Sequence, residues 1–310
     1  MVEIHLTFLG TGGSVPSLSR SLPSVALKRG REILLFDCGE GTQYQLVRTG
    51  LSPLKINAVF ITHLHGDHFL GLAGIVQTMS LLDRSEPLEV YVPKGEGERI
   101  KTFLRIPRYT PAFTIEVKEL EPGEEVRREG YRILTSRAEH GVKCISFGFL
   151  EDPRPGRLDP SKAVELGVKP GPDFSALKSG RPVELPNGRV VEPGEVVGPP
   201  RPGRKIVYAV DTRPCEDVVR LSKGADLLIH DSSLADELVE RAKESGHSTP
   251  SEAAMVAKRA GVKLLVLTHI SSRYRDASIL LEQARKIFPN TMLAEDLMRL
   301  EVPLRGSETG

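Results

Sequence analysis

His63, His65, Asp67 and His68 stand within six positions, in the stretch THLHGDH (62–68). Neutral imidazole is the commonest protein ligand for zinc, and carboxylate complements it. The H-x-H spacing lets alternate residues of an extended turn point the same way. Asp67 and His68 follow where a helix begins. The chain has only eight histidines, and two of the others, His140 and His269, close the apolar runs YRILTSRAE and KLLVLT. Asp211 closes a third, KIVYAV. In open α/β architectures, ligands gather at the carboxyl ends of strands. His63, His65, His68, His140 and His269, with Asp67 and Asp211, suffice for two metals, and Asp211 can bridge them. Nitrogen and oxygen donors without cysteine suit zinc and also manganese. Two such metals roughly 3.5–4 Å apart suit hydrolysis, because they activate a water and stabilise the developing charge. Asp67 then has two roles: metal ligand, and acceptor of the attacking water's proton. Phosphodiester, lactam, thioester and sulfate ester hydrolysis all remain open on these residues alone.

The elements that must position them alternate between strand and helix. EIHLTFLG, SVALKRG and REILLFD read as three successive strands, the first two joined by a Gly/Ser/Pro loop. INAVFITH (56–63) is a buried strand ending at the histidine cluster, and FLGLAGIVQTMSLL (69–82) has helical apolar spacing. LEVYVP is another strand, and FTIEVKEL, YRILTSRAEH and ISFGFLE suggest a meander. RKIVYAVDT, ADLLIHDSS and KLLVLTH are three more buried strands, followed by helices that include LADELVERAKES and SEAAMVAKRA. His230, in the second of these runs, reads as packing behind the site, and His5 as structural.

The net charge is +1, so any nucleic-acid contact needs a local basic patch. The N-terminus has no secretory signal, and no apolar run reaches membrane-span length. Cys38, Cys144 and Cys215 are scattered with no C-x-x-C pair, which implies neither disulfides nor a cysteine zinc site and fits the cytoplasm. Between Pro153 and Gly203 lie eleven of the 23 prolines and eight glycines. Such a stretch cannot supply a core strand or a long helix. A loop this long is usually functional or disordered. Arg154, Arg157, Lys162, Lys169, Lys178, Arg181, Arg189 and Arg201 against six acidic residues make it a candidate arm for gripping a partner.

THLHGDH with His140, Asp211 and His269 resembles the metallo-β-lactamase superfamily. That resemblance implies an α/β fold, an αββα sandwich with a dinuclear zinc site at one edge. It implies one zinc on His63, His65, His140 and Asp211, and a second on Asp67, His68, Asp211 and His269. Within the superfamily, nearly the whole chain resembles the ribonuclease Z family. The carrying stretches are FLGTGGSVPSLSRSLPSVAL (8–27), THLHGDHFLGLAGI (62–75), PGRLDPSKAVELGVKPGPDFSALKSG (155–180), GHST (246–249), THISSRY (268–274) and AEDLM (294–298).

The family implies one metallo-β-lactamase-fold domain over 1–310, with a protruding tRNA-binding arm inserted at about 153–203. It implies a zinc-dependent endoribonuclease, with two Zn²⁺ per subunit or Mn²⁺ in their place. The reaction is removal of the 3′ trailer from precursor tRNA after the discriminator nucleotide, leaving a 3′-hydroxyl and a 5′-phosphate. His247 is then the general acid, with Asp231 orienting it. Arg273, Arg20, Arg154, Arg157 and Lys178 are candidate RNA contacts, and the enzyme is a homodimer. The loop Pro16–Ser21 keeps the family's proline and arginine, but Leu18 and Ser21 replace its lysine and asparagine, which puts cleavage position and rejection of CCA-ending tRNA in question. The competing expectation is another phosphodiesterase or an arylsulfatase on the same fold, for which an arm has little purpose.

Overall fold

A computed structural model describes residues 2–108 and 110–305, which form two compact units. The larger comprises residues up to 150 and 205–303, and the smaller 151–204 with 304–305 among the described residues.

The larger unit holds two seven-stranded sheets. The first runs in the order Arg299–Glu301, Ile4–Gly10, Ser24–Arg29, Glu32–Phe36, Ile56–Phe60, Leu88–Pro93 and Ile115–Leu120. The second runs Thr291–Leu293, Leu264–Thr268, Leu227–Asp231, Lys205–Ala209, Ile145–Glu151, Tyr131–Arg137 and Glu125–Arg128. Between them, Leu6, Phe8, Phe36 and Phe60 of the first sheet pack on Phe147, Tyr208, Ile229 and Val266 of the second. The outer face of the first sheet is covered by helices Thr42–Thr49, Leu72–Leu81 and Gly97–Arg105, through Leu46, Ile75, Met79 and Ile100. Helices Glu216–Ser222, Pro250–Ala260 and Ser278–Arg285 cover the second. These four layers are the αββα sandwich.

Strands buried on both faces need apolar residues throughout, which is why INAVF, KIVYA and LLVLT carry no polar alternation. INAVF lies parallel to both its neighbours in the first sheet, and KIVYA, LLIHD and LLVLT run parallel to one another in the second, so within each sheet their carboxyl ends lie along one edge. Helix Pro250–Ala260 begins where the hydroxyl of Thr249 caps the amide of Glu252, whose side chain returns to the Thr249 amide. One expectation is corrected. The meander fails at its first member: Ile115–Leu120 lies parallel to Leu88–Pro93 in the first sheet, and Tyr131–Arg137 pairs instead with Glu125–Arg128. The helical spacing over 69–82 forms helix Leu72–Leu81, preceded by a short helix Gly66–Phe69; between them the Gly71 backbone packs so closely on Gly39 that a Cβ there would collide with the Gly39 carbonyl.

The smaller unit contains helices Pro160–Glu165, Pro172–Lys178 and Pro193–Val196 and a two-residue ladder, Val183–Glu184 with Val190–Val191. Proline opens all three helices, where its missing N–H costs nothing. Ala163, Val168, Leu177, Val191 and Val196 are buried together, so this segment has a core of its own. Composition concealed that core, because its apolar residues are spread among turns.

Candidate metal centre

The aromatic core ends directly beneath the histidine cluster. Phe36 stacks on Phe60 with centroids 5.5 Å apart and lies 5.7 Å from Tyr208. The next residue, Asp37, is fully buried with a φ of 56°. One of its oxygens accepts hydrogen bonds from His68 Nδ1 at 2.7 Å and the Tyr208 hydroxyl at 3.0 Å. The other accepts from the Thr62 amide at 2.7 Å. Asp37 thus turns His68 so that Nε2 faces away from the core. Sequence reading missed it, although FDCGEG ends a strand in an aspartate just as KIVYAV does.

The predicted ligands converge here from four separate chain segments. His63 Nε2 lies 2.9 Å from His65 Nδ1, which lies 3.1 Å from His140 Nε2. Asp211 Oδ2 lies 3.4 Å from His63 Nε2 and 3.6 Å from His140 Nε2. The same oxygen is 3.3 Å from His68 Nε2, and Oδ1 is 2.9 Å from His269 Nε2. Asp67 Oδ2 is 3.5 Å from both His68 and His269. Two groups capable of holding a metal result: His63, His65, His140 and Asp211, and beside it Asp67, His68 and His269. Asp211 stands against both.

His63, His140 and His269, like His68, are held from behind. His63 Nδ1 meets the Thr62 hydroxyl at 3.0 Å, His140 Nδ1 donates to the Gly246 carbonyl at 2.9 Å, and His269 Nδ1 meets Ser233 Oγ at 2.8 Å. Such partners fix tautomer and ring orientation. The Nε2 atoms of His68 and His269 and Oδ1 of Asp211 are buried without a hydrogen bond. A buried polar atom left unpaired is costly, so this donor set fits divalent cations that would take up those lone pairs. The charges agree. Burial works against ionisation of Asp67, but the neighbouring His269 and His68 imidazoles hold its carboxyl far below the usual range. Burial lowers His269, but Asp211 and Asp67 together raise it to about 10.

Backbone strain concentrates here. Asp37, Asp211 and His269 have φ between 52° and 60°, and Ser14 has 62°. Non-glycine residues in this region are uncommon and cluster at functional sites. Ser14 donates its amide to Asp67 at 2.7 Å. The neighbouring Gly13 lies so close to His269 that a Cβ would enter the imidazole ring. This loop is tied down by Asp296, which accepts from the Thr11 amide (3.0 Å), the Ser21 amide (2.7 Å) and the Gln45 amide side chain (2.9 Å).

His247 sits at the rim. Its Nδ1 lies 2.8 Å from Asp231 Oδ2, and its ring stacks 5.1 Å from that of His269. Asp231 is fully buried and also accepts from the Thr212 amide, the Ser233 amide and the Ser233 hydroxyl. Its oxygens are therefore occupied, although Asp211, Asp231, His247 and His269 also lie close enough to surround an ion. Burial lowers the His247 pKa, but the Asp231 charge outweighs it and the net shift is upward.

A small cavity of about 160 Å³ opens beside His247 and His269, lined also by Ser14, Arg241 and Arg273. Arg273 is therefore at the site, and Arg241 is a cation the sequence reading did not single out. His230 lies in the strand core, its Nδ1 on the Asp231 carbonyl, and His5 pairs with Glu3 near the surface. The Arg20 guanidinium donates to the Thr11 hydroxyl at 2.6 Å and the Ala294 carbonyl at 2.7 Å. Arg154 is likewise engaged, donating to the Arg305 carbonyl. Arg157, Lys178 and Arg201 line one cavity of about 450 Å³ within the smaller unit.

Asp37→Asn tests the support of the centre. It keeps shape but removes the charge that holds His68. Metal affinity should fall by about 10- to 100-fold while the fold is retained. Unchanged affinity in a chelator competition would show that Asp37 does not position His68.

Two family models match: "Beta-lactamase superfamily domain" over residues 170–270 and "Anti-Pycsar protein Apyc1" over 4–153. The ribonuclease Z of Methanosarcina acetivorans is 50% identical, over 97% of this chain and 99% of that one. That of Haloferax volcanii is 45% identical, over 100% and 98%. The crystal structure of the short form of human tRNase Z is 32% identical, with a TM-score of 0.70 over 96% of this chain and 99% of that one.

Proposed function

The chain belongs to the ribonuclease Z family, and from that premise we propose that it removes the 3′ trailer of precursor tRNA by metal-dependent hydrolysis, cutting after the discriminator nucleotide. The observation that carries the mechanism is the pair of ligand groups meeting at Asp211, beside the His247–Asp231 dyad. In this reading His63, His65, His140 and Asp211 hold one zinc, and Asp67, His68, Asp211 and His269 a second, with manganese as a substitute. Bound there, such a pair supplies Lewis acidity to the phosphate and a nucleophile from water at neutral pH.

The chain's own residues do the rest. Asp67, kept ionised, accepts the attacking water's proton. Asp231 accepts from His247 Nδ1, which leaves Nε2 to carry the proton delivered to the departing 3′ oxygen. Asp231 also favours the charged imidazole, so the acid is loaded before the bond breaks. Arg273 lines the cavity at this edge and meets the terminal phosphate. Arg157 and Lys178, gathered on one cavity of the arm, meet the tRNA backbone by charge and shape.

A homodimer is favoured by large apolar residues left exposed on neighbouring helices of one sheet face: Tyr44 at 78%, Val47 at 76%, Leu81 at 77% and Ile106 at 71%. The free, buried Cys38, Cys144 and Cys215 suit the cytoplasm, and no described helix is long and apolar enough to cross a membrane.

The test is cleavage of a precursor tRNA carrying a labelled trailer, read at single-nucleotide resolution, beside an arm deletion. Leu150 and Lys205 are paired on adjacent antiparallel strands, so a short turn can replace 151–204. The deletion should lose precursor cleavage by about 10³-fold yet keep hydrolysis of bis-(p-nitrophenyl) phosphate. If the intact protein hydrolyses that ester but leaves the precursor whole with zinc and with manganese, the substrate assignment fails.

A further inference from the structure

An endonuclease must pass the strand through its site, and the ligand cluster is bordered by a second, larger cavity. It measures about 670 Å³, roughly four times the one beside His247, and reaches the cluster at His140. Its charged lining is Lys94, Glu121, Arg137, Glu139, Lys143 and Arg213. Lys94 is paired with Glu121, and Arg213 lies 3.8 Å from Glu139. Lys143 donates to the Lys94 carbonyl, and Arg137 is exposed. Four cations against two carboxylates leave an excess of positive charge where a polyanion would lie. Pro93, Pro122 and the exposed Val142 supply apolar walls. A single phosphodiester needs none of this space.

We propose that this cavity binds the 3′ trailer, as single-stranded RNA held by its first phosphates, while the small cavity takes the terminal nucleotide of the tRNA body. The assignment rests on the reading above, and the polarity follows from its chemistry. The proton acceptor at bond breaking is the 3′ oxygen of the nucleotide on the 5′ side. His247 gives that proton, and His247 lines the small cavity with Arg241 and Arg273. In phosphoryl transfer the attacking and leaving oxygens lie roughly in line. The nucleotide bearing the leaving oxygen therefore occupies the His247 side, and the chain beyond the scissile phosphate continues past His140. Arg137 and Lys143 then hold trailer phosphates, and Val142 and the prolines meet its bases. Contacts of this kind are sequence-tolerant and salt-dependent, as a site that meets many different trailers requires.

The experiment uses precursor tRNA with 4-thiouridine at the second trailer nucleotide, or at the nucleotide preceding the discriminator, photo-cross-linked to full-length protein. The trailer probe should mark the peptide spanning Arg137–Lys143, and the body probe the peptides holding Arg241 or Arg273. The reverse pattern, or a trailer probe that never marks 137–143, overturns the assignment. Kinetics give the second arm. With Arg137→Ala/Lys143→Ala, the ratio of kcat/KM for a ten-nucleotide trailer to that for a one-nucleotide trailer should fall about tenfold, with the ratio converging between enzymes at high salt. An equal loss on both substrates, or none, overturns the proposal. Wild-type protein that cleaves neither precursor instead sinks the tRNA-processing reading beneath it, so the two failures are told apart.

Discussion

Asp211→Asn is expected to lower precursor cleavage by about 10⁴-fold, a loss of about 5 kcal/mol in transition-state stabilisation. No other ligand stands against both metal groups. Its Oδ2 faces His63, His140 and His68, and its Oδ1 faces His269. The substitution therefore weakens two positions at once and withdraws the charge around which four buried imidazoles are arranged. Asparagine is the informative replacement, because it tolerates the φ of 52° that Asp211 adopts, where alanine would add backbone strain. His65→Ala should cost less, since His65 belongs to only one group and lies at the exposed margin. Metal content by plasma mass spectrometry, run beside the rates, separates lost metal from lost chemistry. An Asp211→Asn protein that keeps both metals and stays within about tenfold of wild type would remove the bridging role.

How much of this could be read from residues depends on the range of the interaction. The H-x-H-x-D-H block is local, and strand-end positions for His140, Asp211 and His269 follow from apolar runs, so the ligand set was legible before any fold. Their strands end one to three residues earlier than the sequence suggests, because the ligands sit on the turns that follow. Asp37 and Asp296 were not legible, since each acts through partners distant in sequence: Asp37 through Tyr208, Asp296 through Thr11, Ser21 and Gln45. The hydrogen bonds of Arg20 were not legible for the same reason. An arginine in a Ser/Pro loop looks free until the Ala294 carbonyl that it binds is placed beside it. The core of the smaller unit escaped because no single helix or strand there is long enough to show a period.

His247→Ala should slow precursor cleavage by about 10²- to 10³-fold and barely touch bis-(p-nitrophenyl) phosphate. The two substrates differ in what leaves. A ribose 3′ oxygen is strongly basic and needs a proton as its bond breaks, whereas p-nitrophenolate departs without one. A residue that only shaped the cavity would slow both alike. Asp231→Asn should share the selectivity, because an amide in that place no longer draws a proton onto the imidazole or fixes its tautomer. Asp231 is a positioning residue in this account, and its loss should also move the alkaline limb of kcat to lower pH, only for the substrate that needs the acid, because Asp231 is what raises the His247 pKa. The rival role is ligation, since His247 lies in a group that could surround an ion. Metal analysis decides it. His247→Ala with full metal content and intact aryl-ester hydrolysis fits a proton donor. Loss of a metal, with both substrates slowed together, would make His247 a ligand and leave the departing oxygen without its acid.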